Sequence, residues 1–276
     1  MASTKDIKRR IRSISNTQKI TKAMEMVAAS KMRRSQRIAL QARAYAGEAL
    51  SLITDLAKGE AAKSSELMEE RDVKNVCFVI VSTNKGLAGG INSNLFREAL
   101  KYIEKEKAKN RRVSVVAIGK KGSDFALRTD LDLAAEFLDV VDKTSSQGIS
   151  PILKIVEEGF VDKKFDKVCL VYTEFISTLN QKPVVRQLLP VTKDILVIES
   201  QIGKDDDLKG KAKVSYLVCT FEPSKEEVLE SLLPEFIRMQ IYYALLESQA
   251  SEHSARMVAM QSASKNAGEM IGDLTL

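Results

Sequence analysis

The residues with the chemistry to build a site are few and scattered along the chain. One segment carries them densely: STNKGLAGGIN, residues 82–92. It follows a continuous apolar run and precedes a helical pattern, the place where backbone N–H groups at a helix start cradle phosphate. The segment lacks the GK[ST] ending of a P-loop, and its glycines do not fall at GxGxxG spacing. The predicted use of Gly86, Gly89 and Gly90 is therefore a tight backbone turn or a close contact with a partner. His253, the single histidine, sits in a helical pattern with no Ser or Cys in a catalytic arrangement beside it, which predicts a surface or interface imidazole. Asp205, Asp206 and Asp207 offer oxygen ligands for a cation, but a charge run in a polar loop is expected to be solvated. Cys77, Cys169 and Cys219 lie in apolar, strand-like runs with no CxxC pair, which predicts reduced, buried thiols. No catalytic residue, metal or cofactor is expected of this chain.

Charge points instead to a partner. The 276 residues carry a net charge of +6, but the charge is segregated. From Met1 to Arg43 there are 12 Lys or Arg against Asp6 and Glu25; from Ser224 onward four basic residues face eight acidic ones. A basic stretch of this kind implies an acidic partner. Nucleic acid is one such partner. Against it, aromatic residues for base stacking are missing before Tyr45 and apolar residues interrupt the basic face. No run approaches the roughly 20 apolar residues of a membrane-spanning helix, so no transmembrane segment is expected. The opening residues are Arg-rich like a transit peptide, but their apolar spacing continues unbroken into the next helix and predicts mature sequence.

The elements that position these residues read clearly. No proline precedes Pro151, and Gly47 is the only glycine among the first 58 residues. Ile7, Ile11, Ile14, Gln18, Thr21, Ala28, Met32, Ala39, Ala42, Ala46, Ala49, Ile53 and Leu56 form a heptad-like seam with polar interruptions. A helix over 3–58 would be on the order of 80 Å long, too long for its own domain to cover. A second stripe, Ile20, Met24 and Val27, lies off the seam, and apolar residues on more than one side predict enclosure by partners. Near the other end, Ser224 and Glu227 form a capping box after Pro223. An apolar pattern then runs from Val228 to Leu245 and thins to Ser248, Ser251, Ala255, Val258 and Ser262, with Pro234 expected to kink or break the helix. Two such long helices, each lacking a partner, are expected to pair with each other, antiparallel.

Between them, apolar runs at 76–82, 113–118, 133–137 and 168–173 alternate with helical patterns at 93–109, 122–128 and 151–160. That alternation predicts a parallel, doubly wound sheet. Further strands are expected at 182–190 and 216–221, around an exposed acidic loop at 204–211. The fold class is α/β: a long antiparallel two-helix coiled coil from residues 1–58 and 224–276, plus a Rossmann-like globular domain at 59–223.

The sequence NTQKITKAMEMVAASKMRR at 16–34 closely resembles the N-terminal helix of the gamma subunit of F-type ATP synthase. Matches continue in order through 82–92, FIST at 175–178, Gln181, Pro183, QLLP at 187–190 and SEHSARMVAM at 251–260. The resemblance implies a non-catalytic rotary shaft. In that family the terminal helices enter a ring of alternating alpha and beta subunits, three of each around one copy. The α/β domain forms a foot on the epsilon subunit and the membrane-embedded c-subunit ring, and rotation driven by protons or sodium ions leads to ATP synthesis. The implied place is the cytoplasmic face of the bacterial plasma membrane, held peripherally. Lys22, Met24, Lys31, Arg33 and Arg34 match the shaft segment facing the ring, and Arg256, Met257 and Gln261 match the C-terminal helix where it passes the ring. Gly86, Ala88, Gly89 and Gly90 match a region of epsilon contact, and Asp205, Asp206, Asp207 and Leu208 lie near the foot surface. The family's C-terminal helix also continues roughly twenty residues, ~30 Å, past the position of Leu276. The cysteine insertion of photosynthetic relatives is not found, so no thiol control is expected.

Overall fold

The structure, a computed structural model, describes residues 4–56, 65–140, 147–192, 222 and 224–275. Helix α1 spans Thr4–Leu56 and helix α5 spans Lys225–Thr275. Two distant contacts fix their sense. Gln18 near the start of α1 donates to the Ser264 carbonyl near the end of α5, whereas Ile53 and Leu56 share a core with Leu229 and Leu233. The pair is antiparallel.

The α1 seam has a physical basis in what is buried. Thr21, Ala28, Met32, Ser35, Ala39, Ile53 and Leu56 are buried, separated by three, four, seven or fourteen residues, spacings that keep them on one helix face. Thr21 bonds its hydroxyl to the Gln18 carbonyl, so a polar residue costs little on this face. On α5 the expected seam drifts toward the tip: Met260, Ser264 and Ala267 are buried, while Val258 is half-buried and Ser262 exposed. Small residues gave too little hydrophobic contrast to locate the face.

Ser224 caps α5, its Oγ accepting from the Glu227 N–H at 3.1 Å and donating to the Glu227 carboxylate. Pro234 does not break the helix, which runs through it. The lost hydrogen bond falls to the carbonyl of exposed Glu230, and buried Leu233, Phe236 and Ile237 hold the helix onto the core on either side.

Between the long helices lie β1 (Asn75–Val81), α2 (Ile91–Lys107), β2 (Arg112–Ile118), α3 (Lys120–Arg128), β3 (Asp132–Phe137), α4 (Ser150–Val161), β4 (Lys167–Phe175) and β5 (Gln181–Leu189). The sheet order is β3-β2-β1-β4-β5. The first four strands are parallel, but β5 runs antiparallel to β4. The parallel sheet expected of the helix-separated strands is present; β5, whose direction the sequence pattern leaves open, is antiparallel because only a short turn at 176–180 joins it to β4, and a crossover needs a dozen residues or more. The strand expected at 216–221 and the acidic loop at 204–211 lie outside the described residues.

Period-two alternation assigns the two faces of the sheet. Val76, Phe78 and Ile80 of β1 pack with Leu95, Ala99 and Ile103 of α2 and Phe125 of α3. Cys77, Val79 and Val81 pack on the other face with α4, Ile53 and Leu56 of α1, and Leu229 to Leu245 of α5. The base of the helical hairpin is thus one layer of the α/β sandwich, and its far end runs clear of the sheet. Among the described residues no helix is long and apolar enough to cross a membrane.

Candidate functional site

A doubly wound sheet offers a ligand crevice where the chain switches direction, at the carboxyl ends of the strands. With this strand order the crevice lies between β1 and β4, beside the glycine-rich turn. Three features close it to a nucleotide. The turn's polar groups bond to one another: Asn92 Nδ2 donates to Thr83 Oγ1 at 2.8 Å, and that hydroxyl donates to the Lys85 carbonyl at 2.8 Å. Ser82 Oγ accepts from the Gly122 N–H at 2.7 Å. Finally, α5 lies across the opening, leaving about 10 Å³ lined by Ser82, Thr83, Asn92, Ser248 and Glu252 among others, room for one water. The expected tight turn is present: Gly89 has φ +58°, and Leu87 also has positive φ, at 62°. Gly86, Gly89 and Gly90 are exposed, and Ala88 is buried beneath them.

The contacts that seat α5 across the crevice are side chain to backbone. Phe175 N–H donates to Glu247 Oε2 at 2.8 Å, and Thr173 N–H donates to Ser248 Oγ at 3.3 Å. Ser251 Oγ donates to the Thr173 carbonyl at 3.2 Å, and Ser254 Oγ to the Thr178 carbonyl at 2.8 Å. Ser251, Ser254, Glu247 and Glu252 are all buried. In the sequence these residues read only as small or polar interruptions. A buried Ser or Glu inside an apolar stripe, needing a hydrogen-bond partner, was the signal available.

The residues matched to the ring-facing shaft divide into three groups. Lys22, Lys31, Arg33 and Arg34 are exposed on α1, and Met24 is half-buried. Lys22 pairs with Glu25 at 3.1 Å. Across a shallow groove between the helices, Lys22, Lys19 and Met26 face Gln261, Ser264 and Lys265 of α5. Lys22 and Gln261 are thereby brought together, while Met257 is half-buried on α5. Arg256 is elsewhere. Its side chain is only 13% exposed, paired with Glu252 at 2.5 Å, and it donates to the Gly86 carbonyl at 3.2 Å. A residue matched to the shaft and one matched to the foot are therefore in direct contact. Asp205, Asp206, Asp207 and Leu208 lie outside the described residues.

Of the off-seam stripe, Ile20 is 61% and Val27 56% exposed, while Met24 is half-buried; Met26, on another side of the helix, is also 61% exposed. They lie on the same stretch of α1 as Lys19, Lys22 and Lys31. Apolar side chains set among cations fit a protein partner that supplies both apolar and acidic groups.

The profile of the family described as "ATP synthase" matches residues 3–276. The ATP synthase gamma chain of Chloroflexus aurantiacus is 42% identical over 279 residues, covering 100% of this chain and 91% of that one. The gamma chain of Roseiflexus castenholzii is 43% identical over 278 residues with the same coverage. Among solved structures, a chain of the rotor of the Euglena gracilis mitochondrial ATP synthase gives a TM-score of 0.65 at 21% identity, covering 98% of this chain and 94% of that one. A chain from the central stalk and c-ring of the Tetrahymena thermophila enzyme gives 0.63 at 24% identity, covering 89% and 99%. The structural likenesses establish the fold, two long terminal helices on an α/β domain. The sequence matches run the length of the chain, and it belongs to the ATP synthase gamma chain family.

Proposed function

We propose that the free end of the α1–α5 hairpin is the bearing surface of the shaft, with Lys22, Met24, Lys31, Arg33, Arg34, Met257 and Gln261 turned toward the alpha and beta subunits. The chain is the central rotary subunit of F-type ATP synthase, non-catalytic itself, coupling ion-driven rotation of the c-ring to ATP synthesis or hydrolysis in the alpha/beta ring. Its partners are the alpha, beta and epsilon subunits and the c-ring. The exposure of the off-seam Ile20 and Val27, with Met26 beside them, among lysines is the observation that carries the bearing surface. Left in water, such a stripe costs solubility; inside a ring it is covered.

The mechanism follows from asymmetry. A two-helix shaft presents different residues at each angle, so three equivalent beta subunits meet three different surfaces. Each orientation favours a different conformation at each site, and turning the shaft shifts those populations. Such a shaft needs stiffness and a surface that slides, which long basic side chains supply. Arg256, engaged by Glu252 and Gly86, offers the ring only part of its side chain.

The chain divides, in this reading, into a shaft of 1–58 with 224–276 and a foot of 59–223, the base of the shaft doubling as a layer of the foot. Gly86, Ala88, Gly89 and Gly90 belong to an epsilon contact made by the exposed turn. That turn sits at the carboxyl end of the central strands, beside the point where α5 leaves the sheet, so a crosslinker on Leu87→Cys distinguishes epsilon from the underside of the ring. The assembly lies peripherally on the cytoplasmic face of the bacterial plasma membrane. Mixing the chain with matching alpha and beta subunits should give a complex holding one copy per ring. Failure to co-purify at that ratio would sink the reading.

A further inference from the structure

Torque between ring and foot passes through the bases of α1 and α5, both packed on the sheet, and among the described residues α5 makes a row of polar contacts with the sheet where it leaves it. Apolar burial of Leu229 to Leu245 resists withdrawal of the helix but is non-directional. Hydrogen bonds are directional, and five of them are concentrated at the exit: Glu247, Ser248 and Ser251 to the backbone of β4, Ser254 to the turn after it, and Arg256 to the glycine-rich turn. Their places around the helix matter. At 3.6 residues per turn, Glu247, Ser251 and Ser254 project within about 60° of one another, and Arg256 projects about 160° away from Ser254. The helix is thus held from two opposed sides, by the β4–β5 hairpin on one and the β1–α2 turn on the other. The partners on the sheet are main-chain groups at strand ends, which move less than side chains do.

We propose that Glu247, Ser248, Ser251, Ser254 and Arg256 form a torque-bearing clasp that fixes the angle of the shaft relative to the foot. They are positioning residues: they touch no nucleotide and act on catalysis only through the rotation they transmit. The inference rests on the rotary-shaft reading. The glycine-rich turn then has a mechanical use, because the Gly86 carbonyl is one jaw of the clasp.

The test uses the assembled complex of alpha, beta, gamma, epsilon and c-ring, with the alpha/beta ring immobilised and a bead on the exposed face of the foot. Ser254→Ala with Arg256→Lys removes one contact from each side. The introduced ammonium would still neutralise buried Glu252 but lacks the guanidinium fork, so the chain is expected to fold. Treated as equal springs in parallel, loss of two of five directional bonds raises the variance of bead angle during a catalytic dwell roughly 1.7-fold. Ser254 is buried and faces the β4–β5 hairpin, so with Ser254→Ala alone ATP hydrolysis by the detached alpha/beta/gamma complex should stay unchanged. Ser254→Thr, which keeps the hydroxyl, should restore most of that half of the loss. A variant complex of normal stoichiometry with unchanged angular variance overturns the clasp. So does loss of the free chain's cooperative melting, which would assign the contacts to stability. A wild-type bead that never rotates would instead overturn the shaft reading itself.

Discussion

Ile20→Gln with Val27→Gln should leave the free chain intact and weaken its entry into the ring. Both side chains lie off the α1 seam and are 61% and 56% exposed, so neither contributes much to the fold. Gln is as good a helix former as most and restores polarity. Full burial of an aliphatic side chain is worth about 1.5–3 kcal/mol, so covering what remains exposed here yields roughly 1–2 kcal/mol per residue. The pair together forfeits about 2–4 kcal/mol on assembly, roughly a 30- to 900-fold loss of affinity. The assay is competition: variant and wild-type chains reassemble with limiting alpha and beta subunits, and mass spectrometry reads the ratio incorporated. Urea denaturation of the free chain runs alongside. Met32→Ala supplies the contrast, because Met32 is buried on the seam and truncation there costs the free chain about 2 kcal/mol or more. Equal incorporation of the double variant would refute the bearing-surface assignment. Destabilisation of the free chain to the extent of Met32→Ala would show that the stripe belongs to the fold.

Gly159→Ala should destabilise the foot by about 1–3 kcal/mol, measured by urea denaturation, because a Cβ there meets the Phe165 ring at 2.5 and 2.6 Å. Phe165→Leu in the same chain should recover part of that loss. Burial pushes the Cys169 thiol from its ordinary 9.0 up to about 11, and burial also raises Cys77. The folded state therefore holds the Cys169 proton longer than the unfolded chain does. The stability this contributes is complete below pH 9.0 and lost as pH rises toward 11. Cys169→Ala should flatten that part of the stability–pH curve, and neither Cys77 nor Cys169 should take up a thiol reagent in the native state at neutral pH. Calorimetry of the free chain with ATP should show no saturable binding at the β1–β4 crevice, which α5 already fills.

The sequence was most legible where hydrophobic contrast was high. The α1 seam was readable because apolar residues recur at three- and four-residue spacing over a stretch with no proline and a single glycine, and the strands because Val- and Ile-rich runs are bounded by polar turns. Two features were harder to read. The direction of β5 depended on a turn of a few residues, which strand propensity does not encode. The clasp was hidden because Glu247, Ser251 and Ser254 bond to main-chain atoms of β4 and the turn after it, some seventy residues distant, and no local pattern marks such a partner. Arg256 was found for its sequence match, yet its contact with Gly86 is tertiary and joined two segments that had been read as separate surfaces.

Rotation itself tests the central claim most directly. With the alpha/beta ring fixed to a surface through its alpha or beta subunits and a bead attached to exposed Glu104→Cys on the foot, ATP should drive the bead in one direction, pausing at each third of a turn. A complex that hydrolyses ATP at full rate while the bead shows only undirected fluctuation would contradict the account.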